Sequence, residues 1–228
     1  LTEPVIMKTI LSEYFCKINQ RMDFGRYIEL LAERLKKELP GSRSHSRMTS
    51  DARMRQQQMH YKTAEAKKGA VLIFLYPMKG SVYTVLIKRQ HDGGVHSGQI
   101  SFPGGKMEEQ DQNGYETALR EAHEEVNIHP GSVHVAGHLT ELYIPPSNFL
   151  VLPVVAYSER KPGLKPEPME VAAIMQVDLL RLKREFPVKK RIIKVRGDAI
   201  NAPYFDIEGE TVWGATAMIM SEMLDVMP

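Results

Sequence analysis

The stretch between Gly104 and Val126 constrains this chain more than any other, because it joins a glycine pair to an acid-rich amphipathic helix. Apolar residues recur there at the i, i+3, i+4, i+7 spacing of a single helical face: Tyr115, Ala118, Leu119, Ala122 and Val126. Two alanines in that stripe let the helix approach a neighbouring layer closely. The pattern predicts a helix that packs on a β-sheet directly after a glycine turn.

Three carboxylates, Glu121, Glu124 and Glu125, are expected on the other side of this helix. Their i/i+3 and i/i+4 spacing brings side chains to about 5–6 Å, where two carboxylates repel by roughly 3 kcal/mol at an effective dielectric of ~20. Arg120 is placed to pair with Glu124 at i+4. Oxygen ligands that leave room for water and phosphates suit Mg²⁺. Spacing of this kind alone is more typical of a solvated helix face, but Arg120, the two alanines and the upstream glycine turn together favour a metal site.

The same residues resemble the Nudix hydrolase box, G-x5-E-x7-R-E-U-x-E-E-x-G-U, in which U is a bulky aliphatic residue. The run from Arg120 to Ile128 fits the second half of the box, except that Asn127 replaces its last glycine. Asn also enters the left-handed conformation that ends a helix. The first half is one residue longer than the general box, with Gly105 and Arg120 15 positions apart and Asp111 in the acidic slot.

The longer loop resembles that of the coenzyme A pyrophosphatase branch of Nudix proteins, as does a T-A-L-R-E-A run that begins at Thr117. Further segments, 85–89, 96–105, 146–155 and 213–217, are similar to other motifs of that branch. This resemblance implies substrate contacts from Arg89, His96, Gly98 and Phe102. One departure is Gly94, which stands where the branch carries an arginine, and it bears on substrate choice.

The Nudix resemblance implies a metal-dependent hydrolase that cleaves a diphosphate linkage. Glu121 and Glu125 are expected to hold Mg²⁺ or Mn²⁺, and Glu124 and the Gly105 carbonyl to complete the coordination. Arg120 would orient Glu124.

A general base must also be supplied, and Glu170, which aligns with an E-V element of the branch, is the downstream candidate. Glu121 could act as the base instead, and Glu170 could be an ordinary surface residue of a strand.

The predicted substrate is coenzyme A or a coenzyme A derivative. Two alternatives stay open: an ADP-ribose or dinucleotide pyrophosphatase, and a Nudix protein that binds a nucleotide metabolite without hydrolysing it. Retention of three mutually repelling acids argues against the pure binder, which has no need of them.

Composition is ordinary for a globular protein and agrees with a soluble enzyme, with 43% hydrophobic and 25% charged residues. A net charge of +2 is too small to indicate a nucleic-acid partner, and no apolar run is long enough for a membrane span. The single cysteine, Cys16, excludes an internal disulfide framework and indicates a reducing compartment, the cytoplasm.

The pattern divides the chain into an N-terminal helical extension over 1–40, a polar linker over 41–68 and a Nudix domain over 69–228. An amphipathic stripe before Pro40 could cover the main domain or a second subunit, which leaves a homodimer open.

The third segment reads as a mixed sheet between helices, the α/β/α sandwich that the resemblance also implies. It predicts a hairpin within 70–87, strands at 133–142, 149–155 and 170–177, and a short helix at 179–182. An edge strand at 202–205 and a closing helix over 211–226 complete the expected order.

Overall fold

The computed structural model describes residues 23–51, 53, 65–90, 97–185, 188–195 and 198–228, with the backbone alone at 195 and 198. Helices in this part are α1 Phe24–Leu35, α2 Ser42–Ser46, α3 Gly114–Val126, α4 Leu179–Glu185 and α5 Gly214–Val226. Strands are β1 Lys67–Met78, β2 Ser81–Arg89, β3 Ile100–Ser101, β4 Gly104–Lys106, β5 His134–His138, β6 Leu142–Ile144, β7 Phe149–Tyr157, β8 Val171–Asp178, β9 Lys189–Val195, β10 Asp198–Ile207 and β11 Glu210–Trp213.

Eight strands form a mixed sheet with the order β3-β2-β1-β7-β5. Strand β4 pairs with β1, β6 with β7, and β8 with β2. Strands β1 and β7 run parallel, whereas β1 and β2 form the expected antiparallel hairpin. The predicted mixed sheet is therefore confirmed.

Strand β1 is buried on both of its faces, which is why its sequence is a continuous apolar run. Leu72 and Phe74 join one hydrophobic cluster with α3, here called the α3-side core. Ile73 and Leu75 join the opposite cluster with α1 and α5, here called the α5-side core. Helices cover both sheet faces, as the predicted α/β/α sandwich requires.

The remaining three strands form a separate sheet with the order β11-β10-β9. The expectation of an edge strand at 202–205 is wrong, because these residues belong to β10, which pairs on both sides. The predicted closing helix also begins later, at Gly214, since Thr211 and Val212 pair with β10. Both residues are β-branched and favour a strand over a helix.

The N-terminal stripe covers the main domain, as one of the two sequence alternatives proposed. Tyr27, Ile28 and Leu31 of α1 are buried in the α5-side core. A homodimer stays a prediction, and residues 1–22 with Cys16 lie outside the described part of the chain. No helix in the described residues is long and apolar enough to cross a membrane.

The polar linker predicted for 41–68 is wrong at its start, where α2 packs against α5. His45 is 6% exposed and Met48 1% exposed. The His45 ring lies 2.8 Å from the fully buried Glu222 carboxylate on α5. Sequence reasoning missed this contact because its two partners are 177 residues apart.

Candidate active site

Helix α3 presents the acidic residues, and its two ends are fixed by asparagines. The Asn113 side chain caps the first turn by accepting hydrogen bonds from the backbone N–H groups of Tyr115 and Glu116, at 2.9 and 3.2 Å. Asn127 ends the helix in the left-handed conformation, with φ 62° and ψ 34°. This confirms the prediction that Asn127, which stands in place of the box glycine, ends the helix in the left-handed conformation.

The three glutamates of α3 differ sharply in exposure. Side-chain exposure is 1% for Glu125, 15% for Glu121 and 54% for Glu124. The expectation that all three lie away from the buried side is therefore wrong for Glu125. Because α3 crosses the start of β1 and the glycine turn, Glu125 is covered by the turn rather than by solvent.

Glu125 is held by two donors. Its Oε2 accepts a hydrogen bond from the Gly104 backbone N–H at 2.8 Å, and its Oε1 from Arg89 Nη1 at 3.2 Å. Burial raises the pKa of Glu125 to about 7, against the lowering effects of Gly104 and Arg89. The nearby charges of Glu121 and Glu170 raise this pKa further.

Glu121 lies against the second glycine of the turn. A Cβ atom on Gly105 would stand 2.4 Å from Glu121 Oε1, so only glycine leaves room for this carboxylate. Burial raises the pKa of Glu121, while Arg120 acts in the opposite direction. Glu124 and Glu170 add to the upward shift.

Arg120 organises the acidic cluster from one position. Its Nη1 donates to Glu121 at 3.0 Å and to Glu124 at 3.1 Å, which gives the predicted i+4 pair. Its Nε and Nη2 donate to Asp111 at 3.0 and 2.9 Å, and Nη2 also reaches the Lys106 carbonyl at 3.1 Å. The hydrogen bond from Arg120 holds the pKa of Asp111 down to about 2.

Sequence reasoning placed Asp111 in a motif slot but gave it no contact. Thr117 was named there only as the start of a motif, and its contact was also missed: its hydroxyl donates to Asp111 Oδ2 at 3.1 Å. Thr117 and Arg120 are three residues apart, so their side chains are neighbours on the helix surface. This spacing could have indicated that both contact the same residue.

The downstream base candidate acts electrostatically on the same cluster. Glu170 is exposed in the turn just before β8, and its charge raises the pKa of both Glu121 and Glu125. Its backbone carbonyl accepts a hydrogen bond from Gln90 N–H at 2.9 Å, which ties it to the end of β2.

The structure places the predicted substrate-contact residues of the upstream motif in different environments. Arg89 contacts the acidic cluster by its hydrogen bond to Glu125. Gly98 lies in a turn with φ 67°, and its N–H donates to the Gln90 carbonyl. Phe102 is only 2% exposed and belongs to the α5-side core, which argues against the predicted contact between its ring and a substrate. Its apolar ring is used to pack the sheet against α5. His96 and Gly94 lie outside the described residues.

The metal ligands stay a prediction for these residues. Among the described residues, no three His, Cys, Asp or Glu side chains already converge as a metal-binding group. Each acid is instead held by hydrogen-bond donors: Arg120 donates to Glu121 and Glu124, and Arg89 and the Gly104 N–H donate to Glu125. The Gly105 carbonyl oxygen faces β1, 2.6 Å from where a Cβ atom on Gly69 would stand.

The donor chemistry nevertheless fits a hard divalent cation. Glu121 and Glu125 supply oxygen donors in a site whose burial raises both pKa values, so an added positive charge would offset the cost of their ionisation. Oxygen-only donors with an exposed side open to water and phosphate match the preference of Mg²⁺ and Mn²⁺.

Comparison with known proteins decides the family. A family model described as the NUDIX domain matches residues 66–195, more than half of the chain. The chain belongs to the Nudix family. Strands β1 to β9 and helix α3 all lie within the matched Nudix region, together with Asp111, Glu121, Glu124, Glu125 and Glu170.

Several Nudix relatives are similar to this chain. The uncharacterized Nudix hydrolase NudL of Yersinia enterocolitica is 37% identical over 145 residues, which cover 61% of this chain and 72% of that protein. The chloroplastic Nudix hydrolase 22 of Arabidopsis thaliana is 32% identical over 161 residues, covering 68% of this chain and 53% of the plant protein. The chain thus spans about half the length of this plant relative.

A third relative carries a substrate in its name. The peroxisomal coenzyme A diphosphatase NUDT7 of Mus musculus is 34% identical over 119 residues, which cover 52% of this chain and 50% of that protein. The names of these relatives place them in chloroplasts and peroxisomes, so a cytoplasmic location stays a prediction for this Nudix chain.

Proposed function

We propose that this Nudix domain is a pyrophosphohydrolase that cleaves the diphosphate linkage of a nucleoside diphosphate derivative with the help of Mg²⁺ or Mn²⁺. The observation that carries the proposal is the packing of two carboxylates, the buried Glu125 and the partly buried Glu121, on the adjacent glycines Gly104 and Gly105. A purely structural helix would place neutral side chains there, since burying two acids together is costly.

The residues that would hold the ion are Glu121 and Glu125, with Glu124 as a further donor; the Gly105 carbonyl, also predicted as a donor, faces β1 in this structure. When bound, such an ion neutralises phosphate charge and lowers the pKa of a coordinated water. Arg120 keeps Glu121 and Glu124 oriented, and Asp111 keeps Arg120 in place. These contacts fix the acids before substrate arrives, which is what electrostatic preorganisation requires.

Hydrolysis also needs a base for the attacking water. Glu170 is proposed for this role because it is exposed and its charge acts on Glu121 and Glu125; Glu121 is the alternative. The water oxygen bonds to one phosphorus as the bridging P–O bond breaks. The proton passes to the carboxylate, and two phosphomonoesters leave.

Coenzyme A or a coenzyme A derivative is the proposed substrate. The branch motifs in the sequence and the similarity to a coenzyme A diphosphatase support this choice. Cleavage would release 3′,5′-ADP and 4′-phosphopantetheine. The replacement of the branch arginine by Gly94 leaves ADP-ribose or a dinucleotide as the alternative substrate, and a non-hydrolysing metabolite binder as the alternative function.

The test is an assay of the purified chain on coenzyme A, ADP-ribose, NADH and diadenosine polyphosphates, each with Mg²⁺, with Mn²⁺ and with EDTA. Metal-dependent product from coenzyme A supports the full proposal. Product from another compound alone keeps the hydrolase and replaces the substrate. Binding without product from any compound would establish the metabolite binder instead.

A further inference from the structure

Phe149 is an aromatic residue that neither core uses. It begins β7, yet within the described part of the chain it belongs neither to the α3-side core nor to the α5-side core. Its side chain is partly exposed. Since a large aromatic side chain gains most from burial, an aromatic ring left at the surface beside a catalytic turn is a candidate ligand contact.

The ring lies next to the glycine turn of the active site. A Cβ atom on Gly69 would stand 3.1 Å from Phe149 Cδ1 and 2.6 Å from the Gly105 carbonyl oxygen. The missing side chain of Gly69 therefore makes the space in which the ring lies. Phe149 and the catalytic turn border the same glycine.

The backbone around Phe149 is fixed by local hydrogen bonds. Asn148 has φ 53° and accepts a hydrogen bond from the Tyr143 hydroxyl at 3.0 Å. Its amide donates to the Glu65 carbonyl at 3.3 Å, and its carbonyl accepts from Lys67 N–H at 2.8 Å. The ring is thus carried on a rigid turn, and little conformational entropy is lost when a ligand binds to it.

Two lysines flank this ring. Lys67 is exposed, and its Nζ stands 5.9 Å from the Phe149 ring centroid. Lys106, also exposed, pairs with Gly69 in the β1–β4 register and therefore shares its sheet face with Lys67. No ion pair is recorded for either lysine among the described residues, so both ammonium groups can serve an anion.

We propose that Phe149 and Lys67 bind the nucleoside end of the substrate, with the ring stacked on the base and the lysine on a phosphomonoester carried by the ribose. This assignment rests on the proposed hydrolase function and specifies its substrate class: nucleotides with a phosphate beyond the diphosphate being cleaved. The flexible lysine side chain turns from the ring to that phosphate as the base stacks. A base in this position leaves the diphosphate beside Gly105.

The proposal predicts separate losses for the two residues. Base–aromatic stacking is typically worth roughly 10- to 100-fold in affinity. We expect Phe149→Ala to raise KM for coenzyme A by about that factor with kcat within about threefold, and Phe149→Trp to restore KM. We expect Lys67→Gln to reduce the preference for coenzyme A over dephospho-coenzyme A, which lacks the 3′-phosphate, to about one.

Binding can be tested independently of hydrolysis in the Glu125→Gln variant, which is expected to lack turnover. Calorimetry measures the affinity of this variant for 3′,5′-ADP and for 5′-AMP, with and without the further substitutions. The matched control is Lys194→Gln, an exposed lysine of β9 in the separate three-stranded sheet. Binding of 3′,5′-ADP that is weakened by Phe149→Ala and Lys67→Gln but not by Lys194→Gln supports the assignment, even if no compound is hydrolysed.

If the wild type hydrolyses coenzyme A and Phe149→Ala has the same KM, the assignment is overturned while the proposed function stands. A fall in melting temperature for Phe149→Ala that Phe149→Trp does not restore, without any change in 3′,5′-ADP affinity, would show that the ring serves packing and would equally overturn it. Equal loss of 3′,5′-ADP and 5′-AMP binding in Lys67→Gln would remove the phosphate role of the lysine.

Discussion

The Arg120 guanidinium holds the Asp111 carboxylate through two hydrogen bonds, from Nε to Oδ1 at 3.0 Å and from Nη2 to Oδ2 at 2.9 Å. This paired geometry fixes the plane of the guanidinium. The remaining nitrogen, Nη1, is thereby directed at Glu121 and Glu124. Asp111 is therefore a positioning residue for the acidic cluster.

Replacing Asp111 with Asn should disturb both the fold and the site. We expect a loss of about 2 kcal/mol in the free energy of unfolding, because charge-assisted hydrogen bonds of this kind contribute about that much. Turnover should fall by roughly 10-fold, since mutation of a residue that orients the ligands of a metal site typically lowers metal affinity or activity 10- to 100-fold. Urea denaturation and steady-state kinetics measure the two effects, with the exposed Glu109→Gln in the same loop as control.

The pH dependence gives a second measure of this pair. The pKa of Asp111 is depressed to about 2, so its contribution to stability is present above its unfolded value near 4 and is lost as pH falls from about 4 to 2. The stability gap between wild type and Asp111→Asn should close over that window. A gap that stays constant down to pH 2 would contradict the ion pair.

The two glycines of the turn should respond differently to alanine. In Gly105→Ala the three atoms nearest to the new Cβ all belong to the flexible end of the Glu121 side chain, so we expect a stability loss under about 1 kcal/mol with a large loss of activity. In Gly104→Ala the Cβ would lie 2.3 Å from the Ala70 carbonyl oxygen, and this backbone clash should cost about 3 kcal/mol.

Thermal unfolding and turnover of the two glycine variants check this contrast. Full activity in Gly105→Ala would show that the position of the Glu121 carboxylate does not matter for catalysis. Equal stability of the two variants would contradict the close approach of β4 to β1.

Glu125→Gln should separate activity from stability. The amide oxygen can still accept from Gly104, and removing a buried charge whose pKa is raised to about 7 relieves a desolvation cost. We expect a melting temperature at least equal to that of the wild type. Turnover should fall more than about 100-fold, since even mutation of residues that only orient metal ligands lowers activity 10- to 100-fold. Unchanged turnover would refute the role of Glu125 as an ion ligand.

The Glu222 carboxylate should anchor residues 41–49 to α5. It is fully buried and accepts hydrogen bonds from Gly41 N–H at 3.0 Å and the Thr140 hydroxyl at 2.6 Å, beside the His45 ring. Glu222→Gln is expected to lower the free energy of unfolding by about 2 kcal/mol. The exposed Glu38→Gln is the matched control in urea denaturation.

The Glu222 effect should also depend on pH. Burial alone would raise the pKa of Glu222, but hydrogen bonds from His45 and Thr140 outweigh it and lower the pKa below its ordinary value. The contribution is therefore present above about pH 4.5 and lost as pH falls below it. A difference between wild type and variant that grows on acidification would contradict this reading.

Local sequence signals predicted the elements that carry the site. The helical stripe from Tyr115 to Val126 and the Asn127 terminus depend only on near neighbours in the chain, and both are confirmed. The same local reasoning failed where partners are distant. Phe102 contributes its ring to a core, and residues 42–49 are held by α5, neither of which has a signature within its own segment.

The sequence by itself determined which chemical groups are available: the acids of α3, the arginine among them and the glycines that let them approach, because these follow from side-chain type and helical spacing. Only the tertiary structure decided how each group is used. Glu125 became the buried acid because β4 passes over it, and Asp111 became the anchor of Arg120 because the loop before α3 folds back. Burial and pairing set the pKa values, and both depend on contacts that spacing along the chain does not encode.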